Sequence, residues 1–488
     1  MTASAPTVRS ALRSPRLLRT EVLAGLVVAL ALIPEAISFS IIAGVDPRLG
    51  LYASFTMAVT TAILGGRPAM ISAATGAVAL VIAPVVRDHG VDYFLATVVL
   101  AGLLQVALAL GGVARLMRFV PRSVMVGFVN SLAILIFVAQ VPHLVDVPWL
   151  VYPMLAAGLA VIVLLPRLTT VVPAPLVAIV VLTAVTLAAG LSLPDVGDEG
   201  ELPDSLPSFL LPDVPLDLET LRIIGPYALG MALVGLLESL LTAKLVDDVT
   251  DTGSDKTRES WAQGVANVVT GFTGGMGGCA MIGQTMINVK VSGARTRIST
   301  FCAGAFLLVL VVGLGDTVAL IPMAALVAVM VMVSVATFDW HSIHPRTLRR
   351  MPRSETAVMV VTVVVVVATH NLAIGVVVGT LVAMSLFARR VAHLVDVERR
   401  VDGDSVTYVV DGELFFASSN ELDEHFRYGE DPDHVVVDLT ASHVWDASTV
   451  ATLDTVTTRY AARGKSVELV GLNQASAAMH GRLSGNLP

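Results

Sequence analysis

Charged residues are scarce in this sequence. Only 14 % of its 488 residues are Asp, Glu, Lys or Arg, whereas soluble domains carry about 25 %. Hydrophobic residues make up 55 % of the chain, and the mean hydropathy is +0.79. This composition excludes an ordinary soluble protein and predicts a polytopic membrane protein, with a soluble part where the composition changes near the C-terminus.

Cysteine and the motifs of common enzymes are also nearly absent. The two cysteines, Cys279 and Cys302, lie in apolar or glycine-rich sequence and fit neither a disulfide framework nor a zinc site. The sequence shows no His–Glu metal pair and no Ser–His nucleophile set, and its soluble part has no phosphate-binding loop. We therefore predict that the protein is not an enzyme, has no cofactor besides a coupling ion and binds no nucleic acid.

Long apolar segments fill the first 390 residues. About 20 apolar residues are needed to cross the hydrocarbon layer of a membrane. Roughly fourteen segments meet or approach this length. The predicted spans are 21–39, 49–65, 70–87, 92–112, 122–141, 148–166, 172–191, 221–243, 258–273, 278–290, 297–315, 317–337, 355–370 and 371–388.

The distribution of charge predicts how these spans are oriented. Lys and Arg are enriched in cytoplasmic loops of membrane proteins. With fourteen spans and the N-terminus inside, the basic groups all become cytoplasmic, and 192–220, which has no base, lies outside. The basic residues in question are Arg9, Arg13, Arg16, Arg19, Arg115, Arg118, Arg122, Arg295, Arg297, Arg346, Arg349, Arg350, Arg353, Arg389 and Arg390. We expect a multi-pass protein of the cytoplasmic membrane, in contact with lipid and with both termini in the cytoplasm.

Two of the spans are poor helices. Gly and Pro interrupt residues 65–76 and 274–285, and both segments contain the string Ala-Met-Ile. Irregular backbone at membrane depth must line a cavity or be buried in protein, and paired broken spans in two halves indicate a transporter site. We expect a half-helix to start at each break and to offer its backbone N–H groups to an anion. The residues predicted to start the half-helices are Ser72, Ala73 and Ala74, and Gly283, Gln284 and Thr285.

One acidic residue lies inside the predicted span 221–243. A carboxylate at membrane depth is costly and usually marks a functional site. Glu238 and Thr242 are four residues apart and lie on one face of the helix. Their oxygens suit a sodium ion, and the carboxylate alone suits a proton. We predict that these two residues form the cation-coupling site.

The composition changes after Arg390. Residues 405–416, 435–439 and 466–472 read as strands, and 448–463 reads as a helix that ends before Gly464. Val450, Leu453, Val456 and Tyr460 form one apolar stripe of that helix. The pattern predicts a small α/β domain over 391–488, after a cytoplasmic segment 1–20 and a membrane domain 21–390.

The order of these motifs resembles that of the SulP family of anion transporters. The resemblance is carried by Pro34-Glu35-Ala-Ile-Ser-Phe39 in the first span, by Glu238-Ser-Leu-Leu-Thr242, and by Ala262-Gln263-Gly264-Val-Ala266-Asn267. The C-terminal part resembles the family's STAS domain through Asp411-Gly412-Glu-Leu-Phe415-Phe416 and Val437-Asp438-Leu439.

The resemblance implies a fold and a way of working. It implies a 7+7 inverted repeat with core and gate domains, in which spans 3 and 10 are broken, followed by a cytoplasmic STAS domain. It also implies a homodimer that moves its substrate by an elevator-like shift, with Phe39 near the anion. Ser448 matches a position that is phosphorylated in soluble STAS proteins, although it also suits a helix start.

Two departures from the family pattern bear on function. Many members carry Ser-Arg where this chain has Gly283-Gln284, and many carry Gln where it has Glu35. The site therefore has fewer positive and more negative charges, so a cation on Glu238, with Glu35 as a possible gate or second acid, would have to offset the repulsion of an anion. We expect secondary active transport of a small inorganic anion, bicarbonate before sulfate, coupled to sodium or protons.

Four alternatives stay open from the sequence. They are a proton-coupled dicarboxylate transporter, an uncoupled anion channel, an exchanger on the same fold, and a membrane-tethered STAS signalling module. A channel would need no acid at the site, and a signalling module would not need paired broken spans.

Overall fold

A computed structural model of the chain describes residues 7–112, 115, 120–168, 173–392 and 395–485. These residues divide into two compact units, which meet in sequence at Thr380 and Leu381. The first unit is helical and the second is an α/β domain.

Helices fill the first unit, and the last of them crosses the boundary between the two units; most connections are short, except residues 189–217. In chain order they are α1 (Val8–Arg13), α2 (Pro15–Ala43), α3 (Pro47–Leu64), α4 (Gly76–His89), α5 (Val91–Leu110), α6 (Arg122–Val138), α7 (Val151–Leu164), α8 (Ala174–Ala188), α9 (Leu218–Thr250), α10 (Lys256–Phe272), α11 (Ile282–Met286), α12 (Arg297–Ala319), α13 (Met323–Thr337), α14 (Pro345–Arg350), α15 (Arg353–Thr369) and α16 (Leu372–Ala392). Helix α11 continues as a turn of π-helix, Ile287–Val291. Short 3₁₀ turns occupy Val141–Leu144, Leu165–Arg167 and Val196–Glu199.

A helix overlaps each of the fourteen predicted spans. In the described part of the chain, six helices are long and apolar enough to cross a membrane: Pro15–Ala43, Val91–Leu110, Arg122–Leu144, Leu218–Thr250, Arg297–Ala319 and Leu372–Val391. Helix α2, which contains the first predicted span, starts earlier than predicted, because Ser14 caps it and Pro15 occupies its first turn. The number of crossings and the inverted repeat stay predictions.

The helices of the first unit form two groups. The first helix group consists of α2–α5 and α9–α12, and the second of α6–α8, α13, α15 and α16. Glycines bring the helices of the first group together: a Cβ on Gly102 would lie 2.6 Å from the carbonyl oxygen of Gly264, and one on Gly25 would lie 2.5 Å from the Cβ of Cys302. Such close backbone approach is typical of membrane helices, since lipid supplies no hydrophobic drive between them.

The two groups meet along a hydrophobic core that they share. Helix α13 packs against α2, and α4 packs against α6. The broken segments, described below, both belong to the first group.

The second unit is built on a four-stranded sheet. Its strands are β3 (Asp396–Asp402), β4 (Ser405–Leu414), β5 (His434–Val444) and β6 (Ser466–Val470), in the spatial order β3-β4-β5-β6. Strands β3 and β4 are antiparallel, and the other two pairs are parallel. Three helices, α17 (Ser419–Glu424), α18 (Ala447–Ala461) and α19 (Gln474–Leu483), complete the unit.

The predicted helix of the second unit is confirmed. Val450, Leu453, Val456 and Tyr460 of α18 are fully buried in a core of their own unit. Strand β3 was not predicted, because its sequence, Asp-Val-Glu-Arg-Arg-Val-Asp, carries five charged residues. It is an edge strand, which pairs on one side only. Strand β5 is longer than the predicted 435–439, since after a bulge its pairing with β4 continues from Ala441 through the polar residues Ser442 and His443 to Val444.

Candidate functional site

The two broken segments pair with each other. Strand β1 (Ser72–Ala73) is antiparallel to β2 (Cys279–Ala280), with Ser72 opposite Ala280 and Ala73 opposite Cys279. Gly278 permits this approach, because a Cβ there would lie 1.9 Å from the carbonyl oxygen of Ala73. The breaks that interrupt two helices thus satisfy each other's backbone groups, which lipid cannot do.

Two further contacts extend this pairing. The backbone N–H of Met281 donates to the carbonyl oxygen of Ile71 at 2.9 Å. The Thr285 hydroxyl oxygen accepts the N–H of Ile71 at 3.0 Å. Thr285, one of the predicted anion-binding residues, therefore also connects the two segments.

The first half-helix begins four residues later than predicted. Ser72 and Ala73 form the strand, Thr75 caps the helix by accepting the N–H of Val78, and α4 starts at Gly76. Ala74 lies between strand and helix, and its N–H donates to the Ser54 hydroxyl at 3.3 Å. The three predicted residues lie at the approach to the helix and not in its first turn, because strand pairing competes for their backbone groups.

Phe39 lies against the start of the first half-helix. Its ring is buried, and a Cβ on Gly76 would be 2.8 Å from its Cε1. The structure thus brings the predicted aromatic of the first span to the N-terminus of α4.

The second half-helix begins where it was predicted. Gly283, Gln284 and Thr285 all lie in the first turn of α11. Gly283 is exposed, and a Cβ there would meet no atom within 4 Å. The first turn of this half-helix is therefore open to a small ligand.

The two departures from the family pattern contact each other. The Gln284 side-chain amide donates to the Glu35 carboxylate, with 2.9 Å between Nε2 and Oε1. The Gln284 carbonyl oxygen is buried and has no hydrogen-bond partner among the described residues. Glu35 is partly buried in α2, beside the proline at position 34.

Glu238 is bound to the strand of the second broken segment. The Cys279 thiol donates to the Glu238 carboxylate, with 2.9 Å between Sγ and Oε2. The same sulfur lies 3.1 Å from the hydroxyl oxygen of Thr75, the cap of the first half-helix. A chain of three side chains therefore connects the acid of α9 to the N-terminus of α4.

Thr242 is buried on the same face of α9 as Glu238. Its hydroxyl donates to the main-chain carbonyl oxygen of Glu238 at 2.8 Å, a local bond that Thr commonly makes inside helices. The described ranges hold no cluster of three or more His, Cys, Asp or Glu arranged for a metal ion. The sodium site at Glu238 and Thr242 stays a prediction.

Neither carboxylate has a cationic partner in the described part of the chain. Glu238 is only 8 % exposed, and its charge faces one thiol, while Glu35 faces one amide. An ionised carboxylate so placed is unfavourable unless something neutralises it. These two acids are the groups of the site whose charge is not balanced.

A polar network behind the strands was not predicted. Asn267 both donates to the carbonyl oxygen of Gly278, at 3.0 Å, and accepts its N–H, at 2.8 Å. The Gln105 side chain accepts from Asn267 at 2.9 Å, and Gln263 donates to the Ser72 hydroxyl at 2.7 Å. Gln263 and Asn267 belong to the motif that carries the resemblance, and buried amides at helical spacing were the available signal.

Cys279 and Thr75 are the other residues that sequence reasoning missed. In the sequence Cys279 shows only that it fits no disulfide framework, because its place beside Glu238 depends on a contact across 41 residues of chain. Ser448 belongs to the second unit, where it is exposed in the first turn of α18, after the Asp446 cap. Its regulatory role stays a prediction.

Sequence comparison identifies both parts of the chain. The model of the Sulfate permease family matches residues 18–153 and 151–362, and that of the STAS domain matches 396–483. The chain belongs to the sulfate permease family. The predicted family is confirmed, and the STAS match begins at the first residue of β3.

Two curated members of this family show how similar its relatives are. The Putative sulfate transporter YbaR of Bacillus subtilis is 54 % identical over 462 residues, covering 95 % of this chain and 96 % of that one. The Bicarbonate transporter BicA of Picosynechococcus is 27 % identical over 414 residues, covering 78 % of this chain and 72 % of that one. The chain is thus a sulfate/bicarbonate-type anion transporter and not an enzyme.

Solved structures support the fold. The murine Slc26a9 anion transporter in the inward-facing state has a TM-score of 0.80 at 16 % identity, over 95 % of this chain and 87 % of that one. The transmembrane domain of a cyanobacterial BicA has a TM-score of 0.63 at 24 % identity, over 76 % of this chain and 98 % of that one. The sulfate permease has the membrane fold of these transporters, with an α/β STAS domain after it.

Proposed function

We propose that this sulfate permease is a secondary active transporter of a small oxyanion, driven by protons that bind Glu238. The single observation that carries the proposal is the joined pair of half-helix starts, beside which lies a carboxylate that has no cationic partner among the described residues. The anion lies at the N-terminal ends of α4 and α11, and the proton lies on α9.

The anion is held by backbone groups. The N-termini of two helices offer unpaired N–H groups and the positive ends of two helix dipoles, which suit an anion without any full positive charge. The open space at Gly283 leaves the backbone of the second half-helix accessible. Small residues on both segments allow an oxyanion to reach the main chain.

The proton makes anion binding favourable. An anion beside the ionised Glu238 would be repelled strongly, since that side chain is buried in protein of low dielectric. A proton on Glu238 removes that repulsion, so proton and anion each favour the binding of the other. The Cys279 thiol and the Thr75 hydroxyl connect the protonated group to the first half-helix.

The contacts favour a proton over sodium. Sodium is a hard cation that needs several oxygen ligands. The side chain bonded to the Glu238 carboxylate is a thiol, and the Thr242 hydroxyl is engaged with a main-chain carbonyl. A carboxylate that is bound to one weak donor and buried in apolar surroundings suits reversible protonation better.

Sulfate and bicarbonate are the two candidate anions. The relative that is 54 % identical is named a putative sulfate transporter, and a relative that is 27 % identical is named a bicarbonate transporter. The sequence alone ranked bicarbonate first. The greater similarity to the first relative places sulfate before it in this proposal.

The movement is an elevator-like shift of the first helix group against the second. Because β1 and β2 are paired, both half-helices and the anion between them travel as one body. Helices pack mainly within their own group, and in this proposal the two groups slide along the surface where they meet. In this proposal the protein is a homodimer in the cytoplasmic membrane with both termini in the cytoplasm.

The test is uptake into proteoliposomes. Radiolabelled sulfate or bicarbonate is supplied outside, with an inward proton gradient, an inward sodium gradient at fixed pH, or neither. We expect the proton gradient to drive sulfate accumulation above equilibrium, and Glu238→Gln to lose this accumulation while keeping downhill equilibration of the anion. A gradient of one pH unit is worth about 1.4 kcal/mol per proton, so accumulation of about tenfold or more is measurable.

Glu219→Gln is the matched control, because it removes an exposed acid from the first turn of the same helix. Accumulation driven by the sodium gradient alone would show that sodium, and not the proton, is the coupling ion. Equilibration without accumulation under either gradient would indicate a channel or exchanger. Accumulation of a dicarboxylate in preference to both inorganic anions would change the substrate and leave the coupling in place.

A further inference from the structure

Two acids occupy corresponding places in the two halves of the membrane unit. Glu35 lies twenty residues after Pro15, the first residue of α2, and Glu238 lies twenty residues after Leu218, the first residue of α9. Each of these helices is followed by one further helix and then by a broken segment. Glu35 therefore lies beside the same site as Glu238.

We propose that Glu35 carries a second proton, so that two protons accompany each anion and the substrate is a divalent oxyanion such as sulfate. This inference rests on the proposed function, which needs only the proton on Glu238.

Both acids are bonded to the second broken segment. Gln284 of α11 donates to Glu35 at 2.9 Å, and Cys279 of β2 donates to Glu238 at 2.9 Å. The donors lie five residues apart, on either side of the turn that starts the half-helix. A dianion at that turn would face two negative charges unless both acids were protonated.

The charged side chains around Glu35 lie at helix ends. Helices α8 and α13 carry none, and α3 carries only Arg48, which is paired with Glu201. Those of α1, α2, α4 and α12, and of the π-helical turn after α11, lie in the first or last two turns: Arg9, Arg13, Arg16, Arg19, Glu21, Arg87, Asp88, His89, Lys290, Arg297 and Asp316. Arg297 is engaged with main-chain carbonyl oxygens, those of Ala62 and Gly65.

The surroundings of Glu238 follow the same pattern. The charged residues of α5, α9 and α10 lie in the terminal turns: Asp92, Glu219, Arg222, Lys244, Asp247, Asp248, Lys256, Arg258 and Glu259. Lys244 is paired with Asp248, and Lys256 with Asp247. The titratable group in contact with the Glu238 carboxylate is the Cys279 thiol. In the described ranges, neither acid is held ionised by a neighbouring cation.

Gln284 suits a partner that gains and loses a proton. Its NH₂ group donates to the ionised Glu35, and its own carbonyl oxygen is buried without a partner. When Glu35 is protonated, a half-turn of the amide lets that oxygen accept the acid's O–H. An arginine at this position would stabilise only the ionised acid, so the glutamine keeps the contact in both states.

The number of protons decides the substrate class. Two protons and one sulfate dianion cross together without net charge, whereas bicarbonate needs only one proton for the same balance. The two acids lie at one site, and within the described ranges neither has a balancing cation. With both acids protonated, a dianion is the substrate whose charge is fully compensated.

The experiment measures how steeply accumulation depends on the proton gradient. Proteoliposomes with clamped zero membrane potential take up radiolabelled sulfate to equilibrium at several pH differences. Two protons per sulfate give an accumulation ratio that changes about 100-fold per pH unit, and one proton gives about tenfold. We expect about 100-fold for the natural protein and for Glu219→Gln, and about tenfold for Glu35→Gln, whose uptake then also carries current.

The outcomes separate this inference from the proposed function. A tenfold slope in the natural protein, or a slope in Glu35→Gln equal to that of the natural protein, would overturn the second proton site and leave single-proton coupling standing. Absence of any accumulation in the natural protein would overturn the proposed function itself. The slope of the natural protein decides the matter even if Glu35→Gln does not fold.

Discussion

At the scale of single residues, the site combines groups that are far apart in sequence. Glu238 was recognisable from the sequence because an acid inside an apolar segment is rare. Its partner Cys279 was not, since a thiol has no sequence pattern that announces a contact across 41 residues. Thr242 shows the reverse: helical spacing places it on the same face as Glu238, but its hydroxyl bonds to the backbone. Spacing therefore predicts proximity and does not predict which atom a side chain contacts.

In the proposed mechanism Cys279 positions Glu238, the acid that carries the proton, and substitution of Cys279 tests this role. Cys279→Ala removes the donor to Glu238, whereas Cys279→Ser keeps an O–H in its place. A hydrogen bond to a charged group contributes about 1.5–3 kcal/mol, so proton-driven uptake falls roughly tenfold in the Ala variant and is largely restored in the Ser variant. The measurement is the pH profile of sulfate uptake, which is displaced in Cys279→Ala only.

Cys302→Ala is the control for this pair, because Cys302 packs between α2 and α12 away from Glu238. Equal losses in the Ala and Ser variants of Cys279 would mean that the residue fills space and does not act through its thiol.

At the scale of elements, the sequence predicted where helices are interrupted and less well where they restart. Gly and Pro located both broken segments. The start of α11 at Ile282 agrees with the prediction, but α4 starts at Gly76 because Ser72 and Ala73 pair with β2. Pairing between segments two hundred residues apart is a tertiary contact, so no local pattern reveals it.

Two glycines of the second broken segment have opposite roles, which substitution by alanine separates. Gly278→Ala places a Cβ against the carbonyl of Ala73, and backbone cannot yield as a flexible side chain does. We expect a loss of about 3 kcal/mol or more in stability and little folded protein. Gly283→Ala meets no atom and folds normally, but narrows the access to the half-helix and raises the KM for the anion.

Gel-filtration profiles and thermal unfolding in detergent distinguish these variants, and uptake kinetics follow for the one that folds. A well-folded Gly278→Ala protein would show that the strands need not approach so closely.

At the scale of the whole molecule, the chain has two units with separate hydrophobic cores. Composition alone predicted this division, because the charge content rises after Arg390. The core of the second unit contains an acid that no pattern singled out: Asp431 is buried and accepts from the hydroxyls of Tyr408 and Tyr460 and from Arg399.

The ionised Asp431 stabilises the second unit, and the effect depends on pH. Burial alone would raise the pKa of Asp431, but the hydrogen bonds from Tyr460, Tyr408 and Arg399 outweigh it and lower the pKa below its ordinary value. This stabilisation is present above the pKa of the unfolded chain, about 4, and is lost as pH falls through the lower folded pKa. We expect Asp431→Asn to destabilise the unit by roughly 2–4 kcal/mol at pH 7, and by less in acid.

Urea unfolding of residues 395–488 at pH 7 and below pH 4 measures this difference. Asp433→Asn is the control, since that side chain is exposed and surface substitutions usually change stability by less than about 0.5 kcal/mol. A destabilisation by Asp431→Asn that stays constant with pH would mean that packing, and not charge, is what Asp431 provides.

In the proposed mechanism the anion is bound mainly by main-chain atoms at the starts of two half-helices. A substitution changes a side chain but leaves the peptide N–H in place, except where it introduces proline. The part of the site that holds the anion is therefore insulated from most mutations, whereas the part that sets the driving force resides in a few side chains such as Glu35, Glu238 and Gln284. During evolution such a protein can change its coupling ion, or lose the coupling altogether, while its anion-binding site stays unchanged.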